Sequence, residues 1–248
     1  MTHHTAKQGP AMTTKDPHAF IKALIAVDEA NAGPKSRQKR SPLIVTLSRD
    51  YGAGGDEIAA LLAQQLSVPL HNREILELAA QKAGVDPLRL AELDDYRASS
   101  VSNFIFSALM GSGCNLETYR RSLFEAVIEL AQNDGILVGR GAHLILSGKR
   151  TFRVRIVGSR MICAKRIADE MGLPLDAAER KVYEINNKRH KSIENLFKDS
   201  YEHCSLNYAK NFDLIINTDR ISAEKAVPII LLGIQQAGFT LNKPSERA

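Results

Sequence analysis

The stretch Ser48-Arg49-Asp50-Tyr51-Gly52-Ala53-Gly54-Gly55-Asp56-Glu57 concentrates the features that hold phosphate without a covalent bond. Glycines at 52, 54 and 55 let successive backbone N–H groups turn inward as an anion nest. From Ile58 the apolar residues recur at helical spacing, so the positive end of a helix would face the same anion. Gly52, Ala53, Gly54, Gly55, Asp56 and Glu57 are therefore the candidate main-chain ligands of a nucleotide's phosphates. The loop departs from the familiar patterns. Against GxxxxGK(S/T), Arg49 stands at the first Gly, Gly54 at the second, Gly55 at the Lys and Asp56 at the hydroxyl residue. Against the longer GxxGxGKGT form, Gly52 and Gly54 match, Gly55 replaces Lys and Glu57 replaces Thr. A dinucleotide fingerprint fits less well, because its third glycine falls on Glu57 and the next strand ends in His71-Asn72 without an acid. Asp56 and Glu57 also have a plain role as acids at a helix N-terminus.

Such a loop needs a buried strand before it and a helix after it. "LIVTL" (43–47) is a β-branched strand and 55–66 a helix. "VPLH" (68–71) is a short strand followed by a helix over 73–83. Residues 86–133 contain two or more helices broken at "MGSGCN" (110–115). "ILVG" (136–139) and "FRVRIVG" (152–158) are strands, and helices follow at 159–171 and 175–197. "FDLIIN" (212–217) is the last strand and 222–237 the last helix. Strands alternating with helices imply parallel pairing with right-handed crossovers, hence a layered α/β/α domain with about five strands. A ligand is expected at the carboxyl ends of those strands.

Composition limits the rest. The 248 residues are 44% apolar and 25% charged, which suits one domain with a sizeable core over 42–240. Residues 1–41 hold seven basic groups against three acids, +4 of the net charge of +5, and are expected to be a disordered basic tail and linker. Within them, 16–32 could form a short amphipathic helix with Phe20, Leu24 and Ile25 on one side. Residues 241–248 form a C-terminal tail. The body is nearly neutral, which argues against nucleic acid as a partner. No apolar run is long enough to cross a bilayer and no secretory signal is apparent, so a cytoplasmic address is expected. Cys114, Cys163 and Cys204 are widely spaced, with no CxxC pair, and read as small apolar residues of a reducing compartment.

The segments "SRDYGAGGDEIAALLAQQLSVPLHNREIL", "ILVGRGAHLIL", "FRVRIVGS" and "FDLIINTDRIS", in this order, resemble the cytidylate kinase-like family, a branch of the P-loop nucleotide kinases. The resemblance runs from about residue 43 to 237 and implies a three-layer P-loop NTPase fold with a helical lid and acceptor region. The family's loop commonly reads S-R-x-x-G-x-G-G-x-x-I, so the missing Lys is a family trait. The implied reaction moves the γ-phosphoryl group of ATP, with Mg²⁺, to a nucleoside monophosphate, CMP or dCMP. Phosphoryl transfer relies on positive charge and positioning, and the implied catalytic cations are Arg49 beside the loop, Arg140 in "VGRGA", and Arg189 in "NNKRHKS" (186–192), where the mobile lid of such kinases supplies arginines. Lys188 and Lys191 are its helpers. Arg160 is the implied nucleotide contact after the fourth strand, whereas Lys165 and Arg166 are expected on a solvated face. Arg73 and Lys188, with Arg140, are the implied acceptor-binding residues. No metal ligand is assigned, Glu57 being only a conceivable contact to Mg²⁺ through water. The sequence departs from related ones at Asn72, Val138, Gly141 and Asn186, where acids are common. The loss of Lys, hydroxyl and acids together leaves open a non-catalytic nucleotide-binding scaffold. A nucleic-acid module using the basic tail is the third reading.

Overall fold

The computed structural model describes residues 41–84 and 116–241. Five strands lie in the order β2-β3-β1-β4-β5, all in parallel register. They are β1 (Ile44–Arg49), β2 (Leu70–His71), β3 (Gly135–Val138), β4 (Thr151–Val157) and β5 (Leu214–Asn217). The helices are α1 (Gly55–Leu66), α2 (Glu74–Lys82), α3 (Leu116–Leu130), α4 (Ala142–Ile145), α5 (Arg160–Met171), α6 (Leu175–Phe197) and α7 (Ala223–Gln236). The expected strands and helices agree with these to within a few residues. The short helix α4 was not foreseen. Of the helices expected over 86–133, α3 is described, while the break at 110–115 and the tails lie outside the described residues.

Helices cover both faces of the sheet, as the alternation of strand residues requires. Val45, Leu47, Ile136, Val138, Phe152, Val154 and Ile156 face a core closed by α1, α5 and α7. Ile44 and Leu137 face a second core closed by α2, α3 and α4. Helix α6 belongs to both. Its Ala178 and Val182 sit in the first core, and its Ile193, Leu196 and Phe197 in the second. This 23-residue helix therefore crosses from one layer to the other, and residues 186–190 mark the crossing.

The second face carries a polar row where β1 meets β4. Thr46 and Ser48 are buried on β1 and Arg155 on β4, with Arg153 beside them half-buried. The register sets Thr46 beside Arg153 and Ser48 beside Arg155. His143 of α4 lies 3.3 Å by Nδ1 from the Ser48 hydroxyl and stacks on Phe212 at 4.9 Å. Burial, assisted by the charges of Arg155 and Arg153, pushes the His143 imidazole down to about 3.

The folded protein thus keeps His143 neutral, while the unfolded chain protonates it below about pH 6.5. Between these values the unfolded state binds the extra proton, so stability falls as pH falls. Melting temperature followed from pH 7 to pH 4 should drop, and the drop should be smaller in His143→Phe. An unchanged slope in that variant would show that His143 does not titrate this way.

Candidate functional site

The loop between β1 and α1 lies at the carboxyl edge of the sheet, beside the central strand. Gly54 takes a left-handed conformation at φ 72° and caps α1. Among the described residues, the N–H groups of Gly52, Gly54, Gly55, Asp56 and Glu57 find no acceptor; the first helical bond of α1 runs from the Ile58 N–H to the Gly54 carbonyl, 3.0 Å. Five donors and a helix N-terminus thus face one region, the arrangement that takes up phosphate.

The loop is braced from beneath. Thr218, just after β5, bonds through its hydroxyl to the Ala53 carbonyl at 2.9 Å. Arg166 of α5 donates to the Gly52 carbonyl at 3.3 Å and to the Thr218 carbonyl at 2.5 Å. A side chain at position 52 would come within 2.7 Å of the Cys163 carbonyl, so α5 packs directly on the loop. Arg166 is thus no surface decoration, contrary to the expectation of a solvated face. Helical periodicity places it one turn after Cys163, the only hint the sequence carried. Cys163 itself is buried, and burial pushes its thiol up to about 11, in line with a packing role.

Arg49 occupies the space that the missing lysine would need. A Cβ at Gly55 would overlap the Arg49 Cβ, and one at Gly139 would come within 2.7 Å of its Nη1. The guanidinium therefore runs through a slot made by two glycines of separate segments. It donates to Asp56 Oδ1 from Nε at 3.0 Å and from Nη2 at 2.9 Å. Asn72 Nδ2 stands 3.5 Å from the same oxygen, which brings the end of β2 to the loop.

Two more of the expected arginines join it. Arg140 stands in a turn where Gly139, Arg140 and Gly141 all have positive φ, 75°, 53° and 72°. An arginine in that conformation is strained, a cost met at functional sites. Gly141 has no room for a side chain against Phe197 of α6. Arg189 donates to the Arg49 carbonyl at 3.1 Å and lies 5.7 Å over the Tyr51 ring. Burial, together with the charges of Arg49 and Arg140 and against those of Asp56 and Asp50, holds its guanidinium down at about 9. Burial likewise lowers Arg140, with Tyr119 opposing and Arg49 assisting. The three guanidiniums are close enough to repel one another, a state that anions relieve.

Arg189 lies within the continuous helix α6, which carries all of residues 186–192. The Asn186 side-chain oxygen accepts the Tyr51 N–H at 2.7 Å, which ties the middle of α6 to the loop. Lys188 and Lys191 are exposed on that helix. Arg160 lies away from this cluster, 5.2 Å over the Tyr183 ring and 3.9 Å from Glu179. Arg73 is exposed and pairs with Glu77 at 2.8 Å. His71 bonds Glu74 through Nδ1.

A model of the cytidylate kinase-like family matches residues 44–220. The chain belongs to the cytidylate kinase-like family. The match contains the loop, both slot glycines and all three converging arginines. Among solved structures, an uncharacterized protein from Eubacterium ventriosum is 19% identical with a TM-score of 0.55, covering 78% of this chain and 98% of its own. A shikimate kinase from Acinetobacter baumannii, in complex with shikimate, is 15% identical at a TM-score of 0.46, with 81% and 97% coverage. A gluconokinase from Sinorhizobium meliloti is 12% identical at 0.42, with 80% and 94% coverage. No curated protein sequence matches the chain. The architecture is an α/β P-loop kinase-like fold, and the family supports a kinase-like, nucleotide-binding protein.

The slot makes a test possible without touching a charged residue. Gly55→Ala adds one methyl at a helical position, but that methyl would overlap the Cβ of Arg49 and lie 2.7 Å from its Cγ, so the end of β1 and the start of α1 must move apart and Arg49 with them. Overpacking of this kind should cost about 1–3 kcal/mol of stability. ATP affinity, measured by calorimetry, should fall although every charge remains. Wild-type affinity in a folded Gly55→Ala protein would mean that Arg49 does not depend on the slot.

Proposed function

We propose that this protein is a phosphotransferase that moves the γ-phosphoryl group of ATP to a nucleoside monophosphate, with CMP or dCMP as the acceptor suggested by its family. The observation that carries the reading is the convergence of Arg49, Arg140 and Arg189, from three separate segments, beside five unused loop N–H groups. The domain of this activity is taken as 42–240, outside the basic tail.

In this reading the β- and γ-phosphates lie against the N–H groups of Gly52, Gly54, Gly55, Asp56 and Glu57, while Ala53, expected among these ligands, spends its N–H on the Asp50 carbonyl at 3.3 Å. Arg49 supplies the charge that a loop lysine supplies elsewhere, entering from the strand side instead of from the helix. Arg189 and Arg140 approach from α6 and from the β3 end, and charge building on the transferring oxygens strengthens these contacts in the transition state. Arg140, Arg73 and Lys188 are assigned to the acceptor, and Arg160 to the nucleotide's outer part.

The acceptor chemistry follows from the carboxylates. At the loop the carboxylates are drawn into ion pairs, Asp50 with Arg155 and Asp56 with Arg49, and the groups that converge there are cationic. A phosphate monoester is already anionic and needs cations more than a base, which favours a monophosphate acceptor. Mg²⁺ bound with the nucleotide would neutralise phosphate charge. Such an ion would be held mainly by phosphates and water, with Asp56 and Glu57 as the adjacent carboxylates.

A second reading, a nucleotide binder without turnover, is favoured by one observation: Asp56 already neutralises Arg49. Purified protein incubated with ATP, Mg²⁺ and a panel of nucleoside monophosphates separates the two. Diphosphate formation, fastest with CMP or dCMP, is expected. Arg49→Ala should lower the rate on the order of a hundredfold, the loss of about 2–4 kcal/mol of transition-state stabilisation. Wild-type kinetics in Arg49→Ala would remove Arg49 from the mechanism. ATP binding with no turnover of any monophosphate would favour the binder.

A further inference from the structure

Strand β4 reads Thr-Phe-Arg-Val-Arg-Ile-Val, and its two arginines share a face. Arg153 reaches the sheet edge, where Asp213 takes it at 2.7 Å. Arg155 does not; it is 1% exposed, among the largest fully buried side chains of the protein. Its Nη2 lies 2.5 Å from Asp50 Oδ1, its Nη1 donates to the Ile156 carbonyl at 3.4 Å, and its Nε has no partner among the described residues. A buried pair of this kind is rarely the most stable choice, since apolar residues of the same volume often do as well or better. Stability therefore does not account for it.

What the pair does hold is the point where β1 becomes the loop. Asp50 is fixed twice to β4, by its carboxylate to Arg155 and by its N–H to the Ile156 carbonyl at 3.0 Å. Its neighbours on either side are the groups that α6 engages: the Arg49 carbonyl takes Arg189, and the Tyr51 N–H is taken by Asn186. His190, next to Arg189, lies within the fields of both Arg155 and Asp50. Of these three consecutive residues, Arg49 and Tyr51 are held by α6 and Asp50, between them, by the buried guanidinium.

We propose that Arg155 is a positioning residue for this site: by clamping Asp50 it aims Arg49 into the glycine slot and presents Tyr51 to Asn186. The inference rests on the nucleotide-binding reading of the loop. No bond is made or broken through Arg155; it acts only through Asp50.

The test compares Arg155→Met, Asp50→Asn and the double variant Asp50→Asn/Arg155→Met. Arg155→Met alone strands the Asp50 carboxylate and should lower the melting temperature. The double variant removes both charges and should recover most of that loss. Its ATP affinity should nevertheless remain weaker by about tenfold or more, because a small misplacement of the loop is costly. Its hydrogen-bonded amides at Tyr51 and Ala53, which donate to the Asn186 side chain and the Asp50 carbonyl, should exchange hydrogen about tenfold faster than in the wild type, without ligand, since local opening no longer works against the clamp. A double variant with wild-type affinity and exchange overturns the proposal, as does one that fails to recover stability. If wild-type protein binds no ATP, the nucleotide reading is what fails, and the ligand-free exchange comparison still decides whether Arg155 holds the loop.

Discussion

The arrangement at the carboxyl edge of the sheet depends on the path of one side chain, that of Arg49. A guanidinium leaving the end of a central strand must cross the start of the next helix to reach a phosphate. It can do so only where no side chain stands in the way, which is why both Gly55 and Gly139 border it. The usual phosphate loop places its cation on the helix, with the residue that this chain replaces by Gly55. In the function proposed above the cation stands on the strand, and Gly55 leaves the start of the helix open to it.

Helix α6 completes the site because its ends lie in different layers. Its first half packs with α5 and its second half with α3 and α4, so its middle must pass over the loop. Gly172-Leu173-Pro174 is the whole connection from α5. Arg189 and Asn186 meet the loop from the middle of this helix. Their bonds to the Arg49 carbonyl and the Tyr51 N–H are properties of the fold at rest.

The order of strands and helices was legible because each strand is a short apolar run and each helix has a clear period. The outline of the loop was legible from its glycines, whereas Arg140 and Arg189 were singled out through the family resemblance and Arg49 through its place beside the loop. What stayed hidden has physical reasons. The apolar run after Arg140 is too short for a helical period to show, so α4 passed unseen. The alternation in "FRVRIV" reads as a half-solvated strand, and only the packing of α4 and α6 over it buries Arg155. Arg166 looks like any basic residue on an outer helix, because its partners are carbonyl groups that a sequence does not display. The segment 186–192 reads as a charged run, and its position across the loop follows from the two cores that hold α6.

The crossing of α6 also joins mechanical integrity to electrostatics. Phe197 at one end fills the space left open by Gly141 and packs edge-on against Phe124 and Tyr201, while Ala178 at the other end is wholly buried against α5. A helix anchored at both ends behaves as a beam, and settling at either support tilts its midpoint. Changes in the apolar interior far from any phosphate are therefore transmitted as changes in where Arg189 places its charge. In this protein the two hydrophobic cores set the field of the site as directly as the residues that line it.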